Sequence, residues 1–107
     1  MCKIMCMSAI GILVGFLVPA MGQTLPIGGA MLGNTCAGCH GTYGAAASTK
    51  IPPLAGTNEA QFIATMVAYR DGSRAGSIMN RVASAYSDEE IAALAAYFAS
   101  FPKDTNE

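Results

Sequence analysis

The chain has 107 residues with six basic and seven acidic side chains, a single histidine, four cysteines and no tryptophan. That length allows one small domain. The near-balanced charge and the lack of a basic stripe exclude a nucleic-acid binder, which needs enough cations to neutralise phosphates.

Lys3 opens the chain and residues 4–18 form an apolar run, followed by small residues at spacing two in Ala20-Met21-Gly22. This is the pattern of a secretory signal peptide cleaved near Gly22, so 1–22 is expected to be a leader and 23–107 the working domain. The apolar run is short for a membrane span, which needs about 20 residues, and no basic stop-transfer flank follows it. An uncleaved anchor is the alternative. Cleavage removes Cys2, Cys6 and Lys3. Five basic residues (Lys50, Arg70, Arg74, Arg81 and Lys103) then face seven acidic ones. A domain of about 85 residues rich in alanine and glycine buries little apolar surface by itself, and chains of that size recruit a metal, a disulfide or a partner.

Residues 28–35 read as a short helix running into Cys36-Ala37-Gly38-Cys39-His40. Residues 41–56, rich in Gly, Ala, Ser and Pro, read as loop. Thr57 is placed to cap the next helix, with Glu59 in its first turn, where negative charge suits the dipole. Phe62, Ile63, Met66 and Val67 recur at helical spacing, and Gly72 stands where a helix ends in a left-handed residue. Residues 73–86 show no period. Ser87 and Glu90 form a capping box, after which Ile91, Leu94, Ala95 and Phe98 share one helix face and Pro102 marks the exit. No segment alternates with period two. The fold class is therefore all-α, about three main helices wrapped around a cofactor.

Cys36, Cys39 and His40 make the c-type haem attachment signature. Residues three apart on a helix face the same side, so two thiols can add to two vinyl groups on one haem edge. The adjoining imidazole then reaches the iron as a neutral ligand. Other uses of the pair fit less well. A zinc site wants four protein ligands, and the domain has no further Cys or His. A thioredoxin-like pair wants a βαβ setting. A structural disulfide leaves the histidine unexplained. One covalent haem c is the cofactor expected.

Met79 and Met66 are the candidates for the second axial position, where a thioether raises the reduction potential relative to a second histidine. Met66 lies within an amphipathic helix, where methionine commonly fills core. Met79 lies in irregular chain after Gly72 and Gly76, able to wrap around the far haem face, and position favours it. The run Pro52, Pro53, Leu54, Ala55, Gly56 is either a rigid loop or the source of a carbonyl against the outer nitrogen of His40. Arg70, Arg74 and Arg81 are each a solvated charge or, for one of them, a partner of a haem propionate. With both axial positions filled the iron has no open site, and the chain is expected to carry electrons without catalysing a reaction itself. No other nucleophile, carboxylate pair or phosphate loop is evident.

This order of features, Cys-x-x-Cys-His, then Pro52-x-Leu54-x-Gly56, then a methionine loop, then a terminal helix with an aromatic, resembles class I cytochromes c across nearly the whole domain. The resemblance implies Met79 as distal ligand, the Pro52 carbonyl as acceptor from His40, and a crossing of Gly28 and Leu32 against the last helix near Tyr97. Leu32 stands where the family often has an aromatic, which implies a looser crossing. Residues 36–42, Ser77-Ile78-Met79-Asn80-Arg81-Val82 and Tyr86-Ser87 are similar to the cytochrome subunit of flavocytochrome c sulfide dehydrogenase, in a single-haem form. That similarity implies a periplasmic location, an FAD-containing sulfide dehydrogenase flavoprotein as electron donor and a soluble cytochrome as acceptor. The other readings are a free-standing monohaem carrier between a bc-type complex and a terminal oxidase or reductase, and a haem sensor or enzyme in which Met79 is displaced.

Overall fold

The computed structural model describes residues 28–45 and 48–103; the leader assigned to 1–22 lies outside the described residues. Helix α1 (Gly29–His40) runs without a break through the cysteine motif and ends at Gly41, whose φ of 83° lets its N–H return to the Ala37 carbonyl. A 3₁₀ turn (Thr42–Gly44) and a loop with one isolated bridge between Ser48 and Ile51 lead to α2 (Glu59–Asp71). Then follow α3 (Met79–Ala83) and α4 (Asp88–Ala99). The described residues contain no strand, and the chain is all-α.

Helix α2 begins one residue later than the sequence implies. Its cap is Asn58, whose side chain accepts from the Gln61 N–H. The Thr57 hydroxyl instead donates to the Leu54 carbonyl at 2.8 Å, closing the preceding turn. The other end is as expected, with Gly72 left-handed at φ 84°. Helix α4 carries the full capping box: Glu90 N–H donates to the Ser87 hydroxyl and Ser87 N–H to the Glu90 carboxylate, at 3.2 and 2.9 Å.

The region 73–86 holds a helix that periodicity did not disclose. At five residues α3 is too short to show a period, and Ala83, with no exposure at all, ties it to the centre. Met79 is therefore the first residue of a short helix and not part of an irregular loop.

The core comprises Leu32, Phe62, Met66, Ala83, Ile91, Leu94, Ala95 and Phe98. All four apolar positions read from α4 lie in it. A chain of rings extends it: Phe62 to Phe98 at 5.8 Å, Phe98 to Tyr97 at 5.1 Å, Tyr97 to Phe101 at 4.9 Å and Phe101 to Tyr43 at 5.0 Å. Such offset and edge contacts stabilise by about 0.5–1.5 kcal/mol each beyond burial.

Helices α1 and α4 cross where the resemblance implies, near Tyr97, but through different residues. Gly28 has open space around it, whereas a methyl on Gly29 would lie 2.3 Å from the Ala93 carbonyl oxygen. A methyl on Gly33 would lie 2.3 Å from the Tyr97 ring. Two glycines four apart present one smooth helix face, and Tyr97 lies in the groove they leave. Leu32 points into the core instead, 7% exposed. The crossing is close because the glycines have no side chains, so an aromatic at Leu32 is not what closes it.

Candidate functional site

Cys36 and Cys39 lie three residues apart on α1, Cys36 half-buried and Cys39 exposed. Burial pushes the Cys36 thiol above its ordinary range. His40 is the last residue of the same helix and, among the described residues, the one buried polar side chain, at 8% exposure.

Among the described residues its ring makes one hydrogen bond. Nδ1 lies 2.8 Å from the Pro52 carbonyl oxygen. A carbonyl can only accept, so Nδ1 carries the proton and Nε2 is left with a free lone pair. That is the tautomer a metal-ligating imidazole requires.

The chain reaches this arrangement through backbone that sequence reading passed over. Gly44 is left-handed, with φ 77°, and its carbonyl accepts from both Leu54 N–H (2.8 Å) and Ala55 N–H (3.1 Å). Gly56 N–H donates to the Phe98 carbonyl at 2.9 Å. The strap from Pro52 to Gly56 is thus pinned to the turn after His40 at one side and to the end of α4 at the other. Two prolines cannot donate and have fixed φ, so the strap holds the Pro52 carbonyl rigidly against the imidazole. A cue was present in Tyr43-Gly44, but a Tyr at φ 58° beside a left-handed glycine has no sequence signature as plain as a Pro-Gly turn.

Met79 and Cys36 are both half-buried and pack against the one core cluster, from α3 and α1 respectively. Met66 is inside that cluster at 5% exposure, as its helical period implies. Of the three arginines, Arg70 is used within the protein: it donates to the Tyr86 carbonyl at 3.1 Å and pairs with Asp88 at 2.5 Å. Arg74 lies over the Tyr69 ring, 5.1 Å from its centroid. Arg81 makes no ion pair among the described residues.

The donor set fits a c-type haem. Two thiols on one helix, an imidazole oriented by a carbonyl with Nε2 free, and a thioether beside the same core are the groups such a haem takes up. No cluster of three or more His, Cys, Asp or Glu side chains occurs among the described residues, so nothing there completes a zinc site. No described helix is long and apolar enough to cross a membrane.

Comparison with known proteins agrees. Residues 23–98 match the family model described as cytochrome c oxidase, cbb3-type, subunit III. The chain is 35% identical over 85 residues to the cytochrome subunit of sulfide dehydrogenase of Chlorobaculum tepidum, covering 79% of this chain and 76% of that protein. It is 41% identical over 70 residues to cytochrome c-554(548) of Halomonas halodenitrificans, covering 63% and 84%. It is also 37% identical over 84 residues to the thiosulfate dehydrogenase electron acceptor of Stutzerimonas stutzeri, spanning 74% of this chain and 39% of that protein.

Proposed function

The chain belongs to the family described as cytochrome c oxidase, cbb3-type, subunit III, an electron-transfer cytochrome with covalently bound haem c, and we propose that it is the cytochrome subunit of a sulfide dehydrogenase. In this reading it is exported to the periplasm after loss of residues 1–22. It accepts electrons from an FAD-containing flavoprotein subunit and passes them to a soluble cytochrome. The start of the family match at residue 23 supports the leader assignment.

When bound, the haem supplies a one-electron couple; the chain supplies its attachment, its ligands and its surroundings. Cys36 and Cys39 would hold it through thioether bonds, and His40 Nε2 and Met79 Sδ would ligate its iron. Pro52 holds the His40 Nδ1 proton at its carbonyl, which keeps the ring from turning and leaves Nε2 for the iron. With His40 and Met79 both ligating, the iron would offer sulfide no open position, and chemistry on sulfide would fall to the flavoprotein.

One observation carries the partner assignment: the likeness to the sulfide dehydrogenase cytochrome subunit extends over three-quarters of that protein, not the haem motif alone. The test is native purification followed by size-exclusion chromatography. Co-elution with an FAD-bearing chain, and haem reduction by sulfide only in its presence, is the expected result. A lone small monomer that sulfide does not reduce through any flavoprotein contradicts it. That outcome favours the second reading, a free-standing carrier, for which the match along 84% of cytochrome c-554(548) speaks.

A further inference from the structure

Asn80 follows Met79 directly, and its side chain makes three hydrogen bonds to backbone. Nδ2 donates to the Tyr69 carbonyl and to the Arg74 carbonyl, and Oδ1 accepts from the Gly76 N–H, each at 2.8 Å. Tyr69 lies in the last turn of α2, where carbonyls lack an intrahelical partner. One carboxamide therefore ties the end of α2 to two points along the chain that leads to Met79.

That chain has little else to hold it. Residues 72–78 are all exposed. Their backbone N–H groups are otherwise engaged by Arg74 to the Ala68 carbonyl (3.0 Å) and Ser73 to the Asp71 carboxylate (2.8 Å). Packing adds a second clasp, around the Tyr69 ring. The Arg74 guanidinium covers Tyr69, and Gly76 lies so close that a Cβ there would be 2.8 Å from the ring and 3.5 Å from Met79 Cβ.

We propose that Asn80 is a positioning residue for the distal ligand: its three hydrogen bonds to Tyr69, Arg74 and Gly76 fold the 72–78 segment so that the Met79 thioether stays over the iron. This rests on the reading that Met79 is that ligand. A thioether is neutral and a weak donor, so its occupancy depends on how seldom the segment opens. The carboxamide is needed because only it offers two donors and an acceptor on one plane. An aspartate of the same shape loses both donated bonds and turns an anionic oxygen toward the carbonyls.

The test is titration of the ferric holoprotein with imidazole, which binds iron only where the methionine has left, together with the methionine-to-iron charge-transfer band. Apparent affinity scales with the population of the open state. Asn80→Asp and Asn80→Ala are expected to raise imidazole affinity by about tenfold and to weaken the band, given two hydrogen bonds lost in the aspartate and three in the alanine, each of modest net value. Met79→Ala should lose the band outright. Arg70→Met, which breaks an α2–α4 contact elsewhere, separates loosening of this segment from general destabilisation: it should lower the denaturation midpoint yet leave imidazole affinity within about twofold. If Asn80→Asp yields no haem-bearing protein, Asn80→Ser, with one donor left, carries the same test at intermediate affinity. Parent-like affinity and band in the Asn80 variants, beside a lost band in Met79→Ala, overturn the role of Asn80 while sparing the ligand. An intact band in Met79→Ala overturns the ligand assignment and the proposal with it.

Discussion

Replacing Gly44 by alanine attacks the backbone that presents the Pro52 carbonyl to His40. At φ 77° a side chain costs about 1–2 kcal/mol, because Cβ crowds the following carbonyl. The added methyl would also lie 2.8 Å from Leu54 Cβ, 2.9 Å from Ala55 N and 2.9 Å from Phe98 Cδ1. Two of these neighbours are backbone or ring atoms that cannot rotate away, and overpacking of this kind costs about 1–3 kcal/mol. The more restricted unfolded chain returns about 0.4–1 kcal/mol. The expected net loss is about 1–4.5 kcal/mol, which at about 1.5 kcal/mol/M in urea moves the midpoint down by roughly 0.7–3 M. Gly38→Ala is the internal control. It lies inside α1 with nothing within 4 Å of a Cβ and should gain about 0.5–1 kcal/mol from helix propensity. Urea unfolding of both variants, followed by far-UV circular dichroism, decides the matter. Equal midpoints for the two would refute the steric reasoning.

Other substitutions test other parts of the account. Met79→Ala should abolish the methionine-to-ferric-iron charge-transfer band, while Met66→Ala should keep the band and lose about 2–5 kcal/mol of stability as a core truncation; the opposite pattern in the ferric spectrum sinks the ligand choice. Ser87→Ala removes the hydroxyl that accepts from Glu90 N–H and should cost about 0.5–2 kcal/mol in urea unfolding, and an unchanged midpoint contradicts the capping box. Gly33→Val should disturb the α1–α4 crossing by forcing the Tyr97 ring off its place, seen as a lowered midpoint, whereas Gly28→Val, at an open position where it only weakens the α1 N-cap, should lower it by much less.

Much of this was legible because the informative features are local. A cysteine pair with an adjoining histidine, a capping box and a left-handed glycine at a helix end are each written in a few consecutive residues. Ile91, Leu94, Ala95 and Phe98 could be assigned to the core because twelve residues of α4 show the period plainly. Helix α3 is five residues long and owes its existence to Ala83 in the core and Asn80 bonded back to α2, neither of which leaves a periodic trace. The cap of α2 fell on Asn58 and not Thr57 because two adjacent residues can both cap, and the Leu54 turn took the threonine. Gly29 and Gly33 escaped notice for a different reason. A missing side chain matters only once another helix, here with Tyr97, lies against it. The placement of Pro52 likewise depends on a carbonyl at Gly44 that receives two N–H groups from ten and eleven residues along the chain.

In the proposed arrangement Cys36 and Cys39 hold a haem covalently with His40 as its ligand. Intact-mass measurement of the natively exported protein, followed by acidic organic extraction and thiol alkylation, tests it most directly. One haem per chain should stay with the polypeptide through extraction, with neither Cys36 nor Cys39 open to alkylation. A colourless chain of unmodified mass, with both sulfurs alkylated or joined to each other, would contradict it.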